Sequence, residues 1–385
     1  MLERLNQIDW QGLEHAYGPA SDVPELIRDL TSADAGAREK ALSNLYSNIW
    51  HQGTVYEATA PTVPFLIELL EADEVQGKHE VLIFLAHLAT GRSYKDVHQH
   101  LILSRELVDK PEWQAELQQE LVWVKNSKDA VALGLPVYRR MLVHPESPVR
   151  DAVGYLLASL GTAAKDVADE IFQRLAMEND EVVKASLVRA FGIVGGEDER
   201  TQTRILALLS GEQSKSLKLA AAMALVGIMR AAAALQAITV LLDAIQHPDD
   251  YSSLQRSCWQ MDDTVASSVS CFLATLEGPA ALAAEDALIQ ALGSEKLLQA
   301  LTIAGALLQL SFQGPIDPGA TMNSLTERQQ RVLKAFDANH NLWGLNVKGT
   351  YFESADTGLL MRSYHLPSRL PEFEAFVRGE RAAKP

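Results

Sequence analysis

The sequence predicts an all-α protein, a right-handed α-solenoid of six or seven helical pairs closed by an irregular C-terminal cap. Three observations carry that expectation. Segments of the chain repeat without gaps, apolar residues within each copy recur at helical spacing, and short polar turn residues separate the copies. The 385 residues, 47% of them apolar and 22% charged, are enough for a large core.

The repeat is clearest in residues 147–161, 181–195 and 216–229. Their apolar anchors Val149, Val183 and Leu217 stand 34 residues apart, about the length of a two-helix unit. Within a unit, a first helix carries Ile171 and Leu175, a turn follows at Glu178-Asn-Asp180, and the short polar side chains there are placed to cap the second helix. The second helices carry small residues (Ala185, Ala190, Ala220, Ala221, Ala222, Ala224) that let neighbours approach. Gly161, Gly195 and Gly227 fall where these helices end or bend.

The remaining elements follow the same order of helix, turn and helix. Residues 23–30 precede 37–45, residues 62–70 precede 79–89, and residues 280–309 read as a later copy. Pro24, Pro64 and Pro136 fall near the starts of first helices, where a missing amide proton costs little or a kink is imposed. Three stretches break the period. Residues 90–129 form an insertion with an extra helix from Pro111 on a long loop, and residues 247–263 are a polar excursion. The tail from Ser311 is a cap, with a non-helical stretch at Gly349 and a short helix near residues 372–377. The expected organisation is a solenoid over 1–310 and a capping segment over 311–385.

Charge narrows the function classes. Against 34 basic residues stand 50 acidic ones, a formal net of −16, which repels nucleic acid and acidic membrane surfaces. No nucleic-acid or membrane partner is expected. Two cysteines, Cys258 and Cys271, cannot staple a chain this size, and their neighbours suggest packed thiols. The start of the chain lacks a secretory leader, so a reducing cytoplasm is expected. Residues 249–323 carry nine acids and two bases, whereas the chain from Ser324 carries seven acids and nine bases. The first of these stretches is the predicted acidic zone.

No complete catalytic motif appears. Gly192-Ile-Val-Gly195-Gly196 follows a helix rather than a strand and reads as a helix terminus, not a phosphate cradle. His79-Glu80 opens like a zinc-protease helix, but the fifth position is Ile83; His98-Gln99-His100 has no third ligand nearby. Asp337-Ala-Asn339-His-Asn341 lacks the glycine and the terminal glutamate of a calcium loop. No metal or cofactor is expected.

The run from Pro148 to Gly161 resembles the second helix of HEAT repeats, particularly the bacterial HEAT-like type also found in phycobilin lyases. The resemblance covers most of residues 22–310, and residues 48–66 are similar to a stretch found in a subset of bacterial HEAT-repeat proteins. It implies a stacked helical array whose members include binding scaffolds, bilin lyases, alkylpurine DNA glycosylases and proteins encoded beside toxins. The expectation is a non-catalytic protein-binding scaffold or adaptor, with an inhibitor or immunity role toward a basic partner within its range. The alternatives are an enzyme or chaperone of the bilin-lyase type and, behind it, a glycosylase, which would need a basic aromatic groove.

Two surfaces are candidates for the partner. The first is the link of Trp50, His51, Gln52, Tyr56 and Glu57, rich in aromatic and hydrogen-bonding groups; the same residues would also serve as a seal between the first two repeats. The second is the acidic zone at Asp249, Asp250, Asp262 and Asp263, which would steer a basic protein. The Trp113 insertion is held behind these two.

Overall fold

The computed structural model describes residues 1–98, 107–229, 235–257, 259, 264–293, 297–347 and 350–380. Among these residues the chain is all-helical apart from three two-stranded antiparallel hairpins. It divides into two compact units, Met1–Gly196 and Glu197–Pro385. No helix of the described residues is long and apolar enough to cross a membrane.

The first unit opens with the hairpin of β1 (Glu14–His15) and β2 (Gly18–Pro19), followed by α1 (Val23–Asp29) and α2 (Ala35–Asn48). A second hairpin, β3 (Trp50–His51) with β4 (Thr54–Val55), leads into α3 (Thr59–Glu71) and α4 (Lys78–Thr90). Then come α5 (Tyr94–His98), the long α6 (Pro111–Ala132), α7 (Leu135–Met141), α8 (Ser147–Leu160), α9 (Ala168–Met177) and α10 (Glu181–Gly195). The second helices α4, α8 and α10 pack side by side, with α3, α7 and α9 against them. The helix expected after Pro111 is present. It is integral to the unit, because α6 packs on α3 and α4 and buries Val131 and Ser127, whose hydroxyl donates to the Leu88 carbonyl at 2.7 Å.

Local chemistry explains α8 and α10. Pro148 lies in the first turn of α8; Val149, Ala152, Val153, Leu156, Leu157 and Leu160 form one fully buried stripe. Asp180 caps α10 by accepting from the Val182 and Val183 amides at 2.9 and 3.3 Å, as its turn position predicts. Gly196 at φ 60° ends that helix. The two helices touch closely because a Cβ at Gly154 would stand 2.7 Å from Ser186 Oγ, which donates to the Asp151 carbonyl. Glu178, its side chain 1% exposed, joins α8, α9 and α10. It accepts both branches of Arg150 at 2.7 and 2.9 Å, Arg174 at 2.7 Å, and the amides of Asn179 and Asp180. Burial pushes its carboxyl up, but the Arg150 and amide hydrogen bonds overcome this and hold it at about 2.

The second unit begins with α11 (Glu199–Ser210), α12 (Lys215–Met229), α13 (Leu235–Gln246), α14 (Val265–Leu273), α15 (Gly278–Leu292) and α16 (Leu297–Ser311). Of these, α12, α14 and α16 neighbour one another, as do α13 and α15. The excursion at 247–263 is not a plain loop. Its described part contains a 3₁₀ helix, Pro248–Arg256, that buries Tyr251 and Leu254. The segment after 310 is more regular than an irregular cap. It holds α17 (Glu327–Ala338), α18 (His340–Trp343), a hairpin of β5 (Gly344–Val347) and β6 (Thr350–Glu353), α19 (Ala355–Ser363) and α20 (Leu370–Val377). Phe336, Trp343, Phe373 and Phe376 give it a core of its own. Cys271 is exposed on α14, contrary to the packed thiol its neighbours suggest, because it lies on the helix face away from Val265, Val269 and Leu273. Cys258 lies outside the described residues.

Candidate functional site

The link between α2 and α3 is a tight hairpin. Gln52 (φ 49°) and Gly53 (φ 91°) form a two-residue turn with both residues in the left-handed region, the type whose twist matches paired strands. Glycine adopts that conformation freely; Gln52 does so at a cost of about 1–2 kcal/mol, so the surrounding contacts must hold it. They do. The Val55 amide donates to the Arg92 carbonyl at 3.0 Å and the Arg92 amide to Gly53 at 2.8 Å, while Thr59 Oγ1 donates to the Ile49 carbonyl at 2.6 Å. A Cβ at Gly91 would stand 2.2 Å from Val55 Cγ1, so only glycine lets the chain after α4 approach β4 this closely.

This frame positions the aromatic residues. Trp50, half-buried, stacks on His87 of α4 with centroids 5.3 Å apart and planes at 25°, and its indole N–H donates to the His87 carbonyl at 3.1 Å. Tyr46 of α2 meets Trp50 edge-on at 5.5 Å, and its hydroxyl lies 2.9 Å from His87 Nδ1; Tyr155 of α8 meets His87 at 6.0 Å with the two rings nearly perpendicular. Burial raises the Tyr46 phenol well above the usual range, so it stays protonated and can serve as the donor. Toward solvent, Tyr17 of the first hairpin, 67% exposed, meets His51 edge-on at 5.4 Å. The Tyr56 hydroxyl is 2.9 Å from Thr54 Oγ1, and Tyr94, 47% exposed, stacks on His98 at 4.1 Å. Burial raises the Tyr56 phenol; the Thr54 hydrogen bond opposes this, and Glu120, Tyr94 and Tyr17 add to it.

Of the residues singled out in this link, Trp50 packs with Tyr46 and His87, His51 meets Tyr17, Tyr56 bonds to Thr54, Gln52 occupies the exposed turn, and Glu57 accepts from the Glu14 amide at 3.3 Å. Tyr17, Tyr94 and His87 were not singled out. The sequence signal for Tyr17 is the Gly18-Pro19 pair that follows it; for His87 it is the position six residues after Val81, matching Tyr155 after Val149.

Beside the hairpin an open cleft of about 550 Å³ lies between α6 and the start of α3. Gln119, Trp123, Asn126, Ala130 and Leu133 form its α6 wall at helical spacing, with Asp129 beside them; Leu13, Glu57, Ala60 and Pro61 face them. Leu133 is 80% exposed. Trp113 lies nearer the start of α6, with Lys95 Nζ 4.1 Å from its ring centroid.

In the second unit, Asp249 and Asp250 lie exposed on the 3₁₀ helix. Asp250 is 2.6 Å from Lys215, which also lies 3.7 Å from Asp243. The Lys215 hydrogen bond lowers the Asp250 carboxyl. Glu285 of α15 is fully buried, with Arg328, Arg331 and Ser311 each 2.5 Å away, and Asp286 also pairs with Arg331. Asp262 and Asp263 lie outside the described residues, as do Gln99 and His100. No group of three or more metal-ligating side chains occurs among the described residues.

No family model matches the chain, and no curated protein does. Among solved structures, the crystal structure of an engineered protein from the Northeast Structural Genomics Consortium is 18% identical over 94% of this chain and 88% of that chain, with a TM-score of 0.30. A likeness at that level carries no argument about function.

Proposed function

We propose that the chain is a non-catalytic protein-binding scaffold or adaptor of the cytoplasm, built as a right-handed α-solenoid of HEAT-like pairs, and that its first unit carries the recognition surface. The observation that supports this most is the set of aromatic side chains on and beside β3 and β4. Tyr17 and Tyr94 are exposed, Trp50, His51 and Tyr56 are half-buried, and the backbone beneath them is fixed by hydrogen bonds. Tyrosine and tryptophan offer large contact area with a polar tip at low entropic cost, and a pinned backbone loses little freedom on association. The adjacency of α4, α8 and α10 supports the solenoid reading for the same unit.

The partner in this proposal is basic. Residues 1–77 carry thirteen acids and four bases, a denser excess than the zone at 249–323, and the first two hairpins lie within that stretch of chain. An inhibitor acting by occlusion fits the same surface and needs no catalytic residue. Photo-crosslinking tests the assignment. A photoreactive side chain at position 17 or 94 should capture a discrete partner, and one at position 249 should not; capture from 249 alone would move recognition to the second unit.

A further inference from the structure

The cleft against α6 is made from one helix with two unlike faces. One face turns inward through Glu120, Ser127 and Val131, all buried. Glu120 accepts from Ser93 Oγ at 2.7 Å and from the Lys95 amide at 2.8 Å, so the helix is fastened at its middle. The other face presents Trp123, Ala130 and Leu133 to the cleft, with Val122, 49% exposed, on the same side one turn from Gln119 and Asn126. Leu13, Ala60 and Pro61 complete an apolar floor between polar flanks. The Trp123 indole N–H has no hydrogen-bond partner, so no polar contact of that group fixes the ring.

The charges of the lining are of one sign. Glu57 and Asp129 are its ionisable residues; Glu57 is met by a backbone amide rather than a cation, and Asp129 pairs with Lys125 on the solvent side of α6, the lysine side chain 74% exposed. An exposed pair of this kind contributes little and is screened by salt, so it gives way to a better-placed cation. A leucine sits 80% exposed at the end of the cleft, in a unit whose 29 acids outnumber its 18 bases. The occupant favoured by both features carries an apolar side chain beside a positive one.

We propose that this cleft receives a basic amphipathic segment of a partner polypeptide, an aliphatic side chain settling against Trp123, Ala130 and Leu133 while flanking lysine or arginine side chains meet Glu57 and Asp129. The inference rests on the protein-binding reading above and gives that surface its partner chemistry. Three short synthetic peptides serve as probes: lysine and leucine at helical spacing, glutamate replacing each lysine, and serine replacing each leucine. Fluorescence anisotropy should show saturable binding of the lysine–leucine peptide and at least tenfold weaker binding of both others. Leu133→Ser, at an exposed position, and the Glu57→Gln/Asp129→Asn pair should each weaken it at least fivefold with unchanged circular dichroism. Equal binding of the lysine–leucine and lysine–serine peptides, or no effect of Leu133→Ser, overturns the cleft assignment. The two readings fail separately. Peptide binding lost in Leu133→Ser but kept in Tyr17→Ala/Tyr94→Ala supports the cleft independently of the tyrosines. Partner crosslinking from position 17 by a protein that binds none of the peptides overturns the cleft while leaving the scaffold reading standing.

Discussion

The hairpin region of the first unit and the acidic stretch of the second use their charges in opposite ways. Around β3 and β4, exposed rings stand in the most acidic part of the chain, and Glu57 faces a cleft with no cation of its own among the lining residues. In the second unit several acids are paired with cations of the same unit. Glu285 and Asp286 are taken up by Arg328 and Arg331 of α17, and Asp250 and Asp243 by Lys215. A net charge counted along a sequence does not distinguish these cases, because the neutralising arginines lie more than forty residues away from Glu285. The same number of carboxylates can hold a fold together or leave a field in solvent.

Removing the internal use of charge should produce the largest effect. Glu285→Ala leaves two arginines and Ser311 without their shared acceptor and should cost about 3 kcal/mol, the low end for a broken buried pair because both arginines are partly exposed. Urea unfolding measures it, and partner binding through the first unit should be unchanged. A cost below about 1 kcal/mol would mean that α17 does not depend on this cluster.

Acid should act next, through the first unit. Glu178 is held at about 2 against an ordinary 4.5, so its folded-state pKa is depressed. Its stabilisation is complete above pH 4.5 and is lost as pH falls from there toward 2. Glu178→Gln should remove that part of the pH dependence while lowering stability at neutral pH by about 3 kcal/mol, since Arg150 and Arg174 are themselves mostly buried. An identical acid-unfolding curve for the variant would contradict the assignment.

Trp50 separates sealing from recognition. Its stack on His87 and its bond to the His87 carbonyl join β3 to α4, so Trp50→Ala should lower stability by about 2 kcal/mol, less than for a fully buried tryptophan because the ring is half-buried, as well as weaken binding. The smallest effect belongs to Asp249→Asn/Asp250→Asn. Asp250 is exposed and already paired with Lys215, so the urea unfolding midpoint should stay where it is in the parent and partner association should change by less than threefold at physiological salt. A larger loss of association rate would restore the acidic stretch as a docking surface.

Much of the helical order was legible because it is periodic. The 34-residue spacing of Val149, Val183 and Leu217 marks anchors that are all buried, and Asp180 caps α10 from the position its turn suggests. The first two hairpins escaped because their two-residue strands are too short to show alternation; only the Gln52-Gly53 turn and the Gly18-Pro19 pair after the first turn betray them. Helix α17 escaped because only Val332, Leu333 and Phe336 are buried among charged residues, although Thr326 and Gln329 form a capping box that announces its start. Within the candidate site, Trp50, His51, Tyr56 and Glu57 were visible as a local cluster. Tyr17 comes from a distant segment and meets His51 only when the hairpins fold, and Tyr94 is brought near by the bonding of Arg92 to Gly53 and Val55, which no local pattern encodes.

The central claim is that the exposed tyrosines beside the hairpins, rather than the acids of the second unit, anchor a partner. The dissociation rate of a crosslink-identified partner from Tyr17→Ala/Tyr94→Ala tests it most directly. Both side chains are exposed, so the melting temperature should stay within about 2 °C of the parent while dissociation quickens at least tenfold, as expected where about 1.4 kcal/mol or more is lost. An unchanged dissociation rate in that variant, with slower association in Asp249→Asn/Asp250→Asn, would contradict the account.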